Sequence, residues 1–131
     1  MPSPSRWWKG LPLVHIQGMS VKDLVDRRKR IVILPSGHGK IHCIEGMILA
    51  LGSTDSRQPF RILSVRHYNS YDAVVLGENL DLIRLGNARE TIRFLRKAHA
   101  EGDEELAPEV RPLVALLLQH ISKEEAKHAP R

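Results

Sequence analysis

The stretch VRPLVALLLQHI, residues 110–121, decides how the rest of the chain is arranged. Val110, Leu113, Val114, Leu117, Leu118 and Ile121 fall at the spacing i, i+3, i+4, i+7, i+8 and i+11. That spacing predicts an amphipathic helix, with Pro112 tolerated in its first turn. A stripe this apolar needs cover, from the domain itself or from a second copy of the chain, so a homodimer through this helix is one expected partnership. On this reading residues 101–131 form a helical extension, and the sheet must come from what precedes it.

Working back from there, Asn87 with Glu90 three residues later has the form of a capping box. It opens a helix through about His99, with Ile92, Leu95 and Ala98 as the buried stripe. Ser70 serves as N-cap for a segment holding Tyr71, Val74 and Val75. Before it, FRILSVRHY (60–68) alternates as a strand does. Phe60, Ile62 and Ser64 share one face and Arg61, Leu63 and Val65 the other, until the pattern slips. KIHCIEGMILAL (40–51) predicts two strands about a turn at Gly46, and IVIL (31–34), closed by Pro35, predicts a buried strand. LPLVHIQ (11–17) is a short strand. Ser20, with Asp23 at the third helical position, caps a helix from Val21 to about Arg28 that turns Leu24 and Val25 inward. Residues 1–10 form an arm whose Trp7 and Trp8 pack on the domain.

A chain of 131 residues makes one domain with a real core. Hydrophobic residues at 42% and charged residues at 27% exclude wholesale disorder. Twenty Lys and Arg against fifteen Asp and Glu leave a charge of +5, a surface that attracts polyanions. The single cysteine, Cys43, excludes an intramolecular disulfide and the paired Cys-x-x-Cys zinc frameworks. Apolar runs such as Leu113 to Leu118 fall far short of a membrane span, and MPSPSRWWKG lacks the apolar segment of a signal peptide. The expectation is a cytoplasmic protein with no membrane partner and no cofactor.

Two stretches carry candidate chemistry. Arg27, Arg28, Lys29 and Arg30 lie at a helix C-terminus, where each cation offsets the macrodipole by under about 1 kcal/mol, and they also make a cationic face. SGHGK (36–40) follows, and its two glycines permit backbone N–H groups to point at an anion. The loop lacks the length and the Lys-Ser/Thr ending of a Walker A motif.

The order strand, helix, RRKRIVI, glycine-centred turn, strand, loop and strand resembles the ASCH domain of the PUA-like group. So does VRHYNSYDAVVLGENLDLIRLGNARETIRFLRKAH (65–99), with Tyr68, Ser70 and Tyr71 in an aromatic-x-Ser-aromatic turn, then Glu78 and Leu80, Leu85 and Gly86, and FLRK. The resemblance spans residues 11–100. It implies an α+β fold, a small PUA-like β-barrel of about five to six strands with flanking helices, to which the C-terminal amphipathic helix is added.

The family is associated with RNA binding and, in some members, with ribonuclease or modified-cytidine amidohydrolase activity. Its motif Gly-x-Lys-Thr-x-Glu-x-Arg, laid on this chain, puts the lysine at Lys29, the threonine at Arg30, the glutamate or second threonine at Val32 and the arginine at Leu34. Only the lysine is retained. Amide hydrolysis needs a nucleophile beside a base, and Val32 has neither a lone pair nor a proton to transfer, so the amidohydrolase reading is disfavoured. The family's Gly-Asp becomes Gly46-Met47, which removes another carboxylate.

What the resemblance and the charge imply together is an RNA-binding or single-stranded nucleic-acid-binding protein. Arg27, Arg28, Lys29, Lys40, Arg61 and Arg66 would contact phosphates, with Tyr68 and Ser70 of the family turn beside them. Tyr68 and Tyr71 either stack on bases or wedge the helix against the barrel. A ribonuclease is the alternative, with Lys29 and His38 as the catalytic pair and His42 and His67 as further candidates. A protein-interaction adaptor built on the C-terminal helix is another. A metal site of His38, His42 and Cys43 lacks a fourth ligand, so none is expected.

Overall fold

The computed structural model describes residues 7–15, 21–26, 30–36, 42–53, 56–83 and 87–128. Five strands make one sheet: β1 (Leu13–Val14), β2 (Ile31–Pro35), β3 (Ile48–Ser53), β4 (Ser56–Ser70) and β5 (Val110–His120). Among the described residues their order is β1-β3-β4-β5-β2, with the β1–β3 pair parallel and the other three antiparallel. Among the described residues β1 and β2 stand at opposite edges and no ladder joins them, so the sheet is open where a closed barrel is expected. The α+β class holds.

The helix expected over residues 110–121 is a strand. β5 lies between β4 and β2, with Leu116 opposite both Val65 and Val32. The reason lies in the residues between the helical positions. Ala115 and Leu116 are apolar too, so Leu113 to Leu118 form an unbroken run, and a central strand buried on both faces calls for such a run. Leu113 and Ala115 face one side and Val114, Leu116 and Leu118 the other, all buried. Pro112 is accommodated because the ladder to β4 slips between the Tyr68 and Ser70 pairs, where no N–H is required of it. A homodimer through a helix here loses its basis, and among the described residues after 100 only α5 (Lys123–Lys127), capped by Ser122, is helical.

A second correction concerns β4. A bulge between Ile62 and Ser64 leaves Leu63 out of the ladder and 42% exposed. Val65 therefore joins the face of Phe60 and Ile62, and Ser64, Arg66 and Tyr68 fall on the opposite one. This is the slip in the FRILSVRHY alternation. Of the segment 40–51, residues 40 and 41 lie outside the described residues, and the rest holds one strand, β3, where two are expected. Residues 42–44 are irregular, and a turn at Glu45 and Gly46, where φ is 85°, leads into β3.

The two faces are covered differently. On one, Val32, Leu34, Leu49, Leu51, Phe60 and Leu116 pack with Val21 and Leu24 of α1 (Val21–Asp26). On the other, Ile31, Ile33, Leu113 and Ala115 pack beneath α2 (Tyr71–Gly77), α3 (Leu80–Ile83) and α4 (Ala88–Ala98). A third cluster seats Trp7 against Ile48, Ala50, Ile121 and Ala126, as expected of the arm, and the Arg57 guanidinium lies 4.9 Å from the Trp8 ring. Two of the three expected caps form: the Ser70 Oγ accepts from the Ala73 N–H, and the Asn87 Oδ1 accepts from the Glu90 N–H, while Ser20 lies outside the described residues. α1 is described from Val21 to Asp26, and its expected continuation through Arg28 lies outside the described residues.

Candidate functional site

Strand β4 runs directly into α2, and that junction gathers the polar residues nearest to a site. Ser64, Arg66 and Tyr68, at i, i+2 and i+4, project from one face of β4. α2 turns back over them and ends on Glu78, whose backbone N–H bonds the Val74 carbonyl. Arg66 grips the Glu78 carboxylate with two guanidinium nitrogens, Nε to Oε2 at 2.5 Å and NH2 to Oε1, while NH1 donates to the Ser64 hydroxyl. The Tyr68 hydroxyl also donates to Glu78. The carboxylate is 1% exposed and the Arg66 side chain 36%.

Glu78 sits at the wrong end of a helix for an anion, because the carbonyl end of α2 carries partial negative charge. Arg66 resolves that conflict. Burial alone raises the Glu78 carboxyl, but the hydrogen bonds from Arg66 and Tyr68 and the Arg66 charge outweigh it and hold it below its ordinary value. The hydrogen bond to Glu78 raises Arg66, and burial followed by Glu78 raises the Tyr68 phenol. Gly77 makes the geometry possible, since a Cβ there would lie 2.6 Å from the Tyr68 hydroxyl oxygen.

Beside this cluster, Tyr71 is core rather than surface. Its hydroxyl lies 2.8 Å from the His99 Nδ1, and the His99 Nε2 lies 2.9 Å from the Ile33 carbonyl oxygen. A carbonyl only accepts, so Nε2 carries a hydrogen, and in the neutral imidazole Nδ1 accepts a hydrogen bond from the Tyr71 hydroxyl. The chain of bonds ties α2 and the end of α4 to edge strand β2. Outside it, Tyr71, Asp72, Ile92, Arg96 and Glu109 line a cavity of about 90 Å³, well below the ~300 Å³ at which small-molecule sites begin.

The expected site residues scatter. Arg27, Arg28, Lys29, His38 and Lys40 lie outside the described residues, which takes in both members of the ribonuclease pair. Arg61 is held by Glu125 at 3.1 Å and Arg66 by Glu78, so both are committed to carboxylates. Ser70 caps α2. Tyr68 is half-buried against the helical layer, the wedge of the two expected roles. Val32 and Leu34, where the ASCH motif carries polar groups, are 5% exposed core. His42 and His67 are exposed, and among the described residues no three His, Cys, Asp or Glu side chains are placed to hold a metal. Cys43 is half-buried, and burial pushes its thiol up. No described helix is long and apolar enough to cross a membrane.

Sequence reasoning misses Glu78 as the hub, and with it Ser64 and His99. A signal was available: a carboxylate at a helix C-terminus needs a cation, and the alternation of β4 supplies one at Arg66. Set against known proteins, the chain matches no family model, no curated protein sequence and no solved structure.

Proposed function

We propose that this protein binds nucleic acid, RNA in the first instance, and that its contribution is binding rather than chemistry on the bound strand. The observation that carries the reading is the surplus of five positive charges. Internal ion pairs consume one charge of each sign, so a surplus of this size stays facing solvent whatever the pairing inside. The ASCH, PUA-like assignment belongs to the same proposal, resting on the Val65 to His99 pattern and on the cations from Arg27 to Arg30. The preference for binding over catalysis rests on Val32 and Leu34, which fill the core where a reacting wall would need polar groups.

Fluorescence anisotropy with a labelled 20-nucleotide single-stranded RNA tests it. Binding is expected at 50 mM salt and should weaken steeply by 300 mM, with the RNA recovered uncut. Undetectable affinity at 50 mM would sink the proposal, and reproducible cleavage lost on Lys29→Ala would replace it with the ribonuclease reading.

A further inference from the structure

Each Trp, Tyr and Phe ring of this chain is already in use. Trp, Tyr and Phe occur twice each. Trp7, Phe60 and Tyr71 are buried in the core. Trp8 packs edge-on against Trp7, with the Arg57 guanidinium 4.9 Å from its ring. Tyr68 gives its hydroxyl to Glu78 and is half-buried beneath the helices, and Phe94 is packed on the same layer and engaged in a further contact. Recognition of single strands leans on open aromatic planes on which unstacked bases sit. Recognition of a double helix does not: its bases stay stacked, and the protein meets phosphates, sugar hydroxyls and shape.

Helix α4 supplies charge for the second mode. Arg89, Arg93 and Lys97 repeat at i, i+4 and i+8, a row about 12 Å long down one side of the helix. All three are exposed, while Thr91 and Leu95 on the opposite side are buried. Arg96 is engaged otherwise: its Nε donates to the Ala107 carbonyl at 2.8 Å, and it lies 3.7 Å from Glu109. Among the described residues no carboxylate lies within ion-pair distance of Arg89, Arg93 or Lys97. The row works against the helix that bears it, because like charges four residues apart repel and Arg89 stands in the first turn, where the macrodipole disfavours a cation. An anionic partner from outside the chain would turn these costs into gains. The row is also held at both ends: Asn87 caps the first turn, and His99 reaches the Ile33 carbonyl of β2.

We infer that the outer side of α4 docks on the phosphate backbone of double-helical RNA, with Arg89, Arg93 and Lys97 each at a phosphate and no base read. The inference rests on the nucleic-acid-binding reading above and names the form of the strand. A duplex carries about one charge per 1.7 Å of axis, twice that of either strand alone, so it sets roughly seven beside a row of this length. Its phosphates are already fixed in place, whereas a single strand must be ordered before three of them meet a rigid row. An anionic membrane is the weaker match, because the exposed positions of this helix, Ala88, Arg89, Glu90, Arg93 and Lys97, offer no large apolar side chain for insertion. Glu90, the one carboxylate of α4, lies three residues before Arg93 and opposes the phosphates.

The test compares the full chain with its variants on a 20-base-pair RNA duplex, on one strand of it and on phosphatidylserine vesicles. Both RNA forms should bind at 50 mM salt, and at 150 mM the duplex should bind at least about fivefold more tightly. A second duplex of unrelated sequence should bind within about twofold of the first, since phosphates carry no sequence. Arg89→Gln, Arg93→Gln and Lys97→Gln together keep good helix formers in place and should weaken duplex binding at least about tenfold. The log–log salt slope should flatten by about 2.7, from three contacts at about 0.9 each. Arg89→Lys with Arg93→Lys, which keeps the charge, should retain affinity within about twofold, and Glu90→Gln should tighten binding about twofold. Circular dichroism of each variant establishes that α4 is intact. If the full chain binds duplex and the triple Gln variant binds it equally, this surface is wrong and the function stands. A single strand bound as tightly as the duplex overturns the duplex assignment and leaves the function standing. If neither RNA form binds at 50 mM salt, or vesicles alone are bound, both fail.

Discussion

Against one face of the sheet, Leu49, Leu51, Ile62 and Leu116 are buried among apolar neighbours, whereas the face beneath the helices also buries Glu78, Thr91 and His99. Apolar burial is non-directional: it drives collapse onto a face and says little about how a covering element is oriented. The hydrogen bonds of the other face are directional. Glu78 fixes the end of α2 over β4 through Arg66 and Tyr68, and His99 fixes the end of α4 over β2. One face thus carries more of the stability and the other more of the placement.

The largest test of that division is Leu116→Ala. The side chain is fully buried on the apolar face, so its truncation should cost about 3 kcal/mol in urea denaturation, with nearly the same loss at pH 7 and at pH 3. A loss under about 1 kcal/mol would mean that this face contributes less than its burial implies.

Arg66→Ala is expected to cost less, about 2 kcal/mol at pH 7, below the usual figure for breaking a buried pair because Arg66 is itself partly exposed. Its deficit should depend on pH. In the native protein the Glu78 carboxyl is held below its ordinary 4.5, so its contribution is present above that pH and is lost as pH falls through the folded value. Without Arg66, burial dominates and the folded carboxyl rises, so the variant loses stability as pH increases. Both trends shrink the gap between the two proteins as pH falls, the variant's above 4.5 and the native protein's below it. A deficit identical at pH 7 and pH 3 would show that Arg66 acts by packing alone.

Gly77→Ala should show the smallest effect, about 1 kcal/mol, through the bond to a charged acceptor that Tyr68 gives up as it retreats from the new methyl group. In a spectrophotometric titration one of the two tyrosines should move back toward 10.0. Unchanged tyrosine titration would mean that the ring finds another way past the Cβ.

What the sequence discloses follows the range of the interactions. Ser70 and Asn87 are read correctly as caps because a cap is settled within three or four residues. IVIL is read as a buried strand for the same reason. β5 is misread because Leu113 to Leu118 is apolar at every position, and a run of that kind satisfies helical spacing and two-sided strand burial equally. Only pairing with β2 and β4, both distant in sequence, decides between them. Arg66, Tyr68 and Glu78 are each singled out in the sequence, but their meeting depends on the bulge at Leu63, which sets the direction of the first two. Arg61 looks free for phosphate until α5, from the far end of the chain, brings Glu125 to it.

The position of β5 also sets a schedule for the growing chain. During synthesis β1, β3 and β4 can pair as soon as they leave the ribosome, but among the described residues Ile31 to Pro35 has its only strand partner at Leu113 to Leu117. A segment of four consecutive large aliphatic residues therefore emerges well before its partner and waits unpaired until Leu113 to Leu117 has been made, the period in which such a segment is most exposed to self-association and to chaperones. The helical layer that settles onto Ile31 and Ile33 is translated before β5 as well, so β5 locks into place a sheet whose other described parts are already waiting.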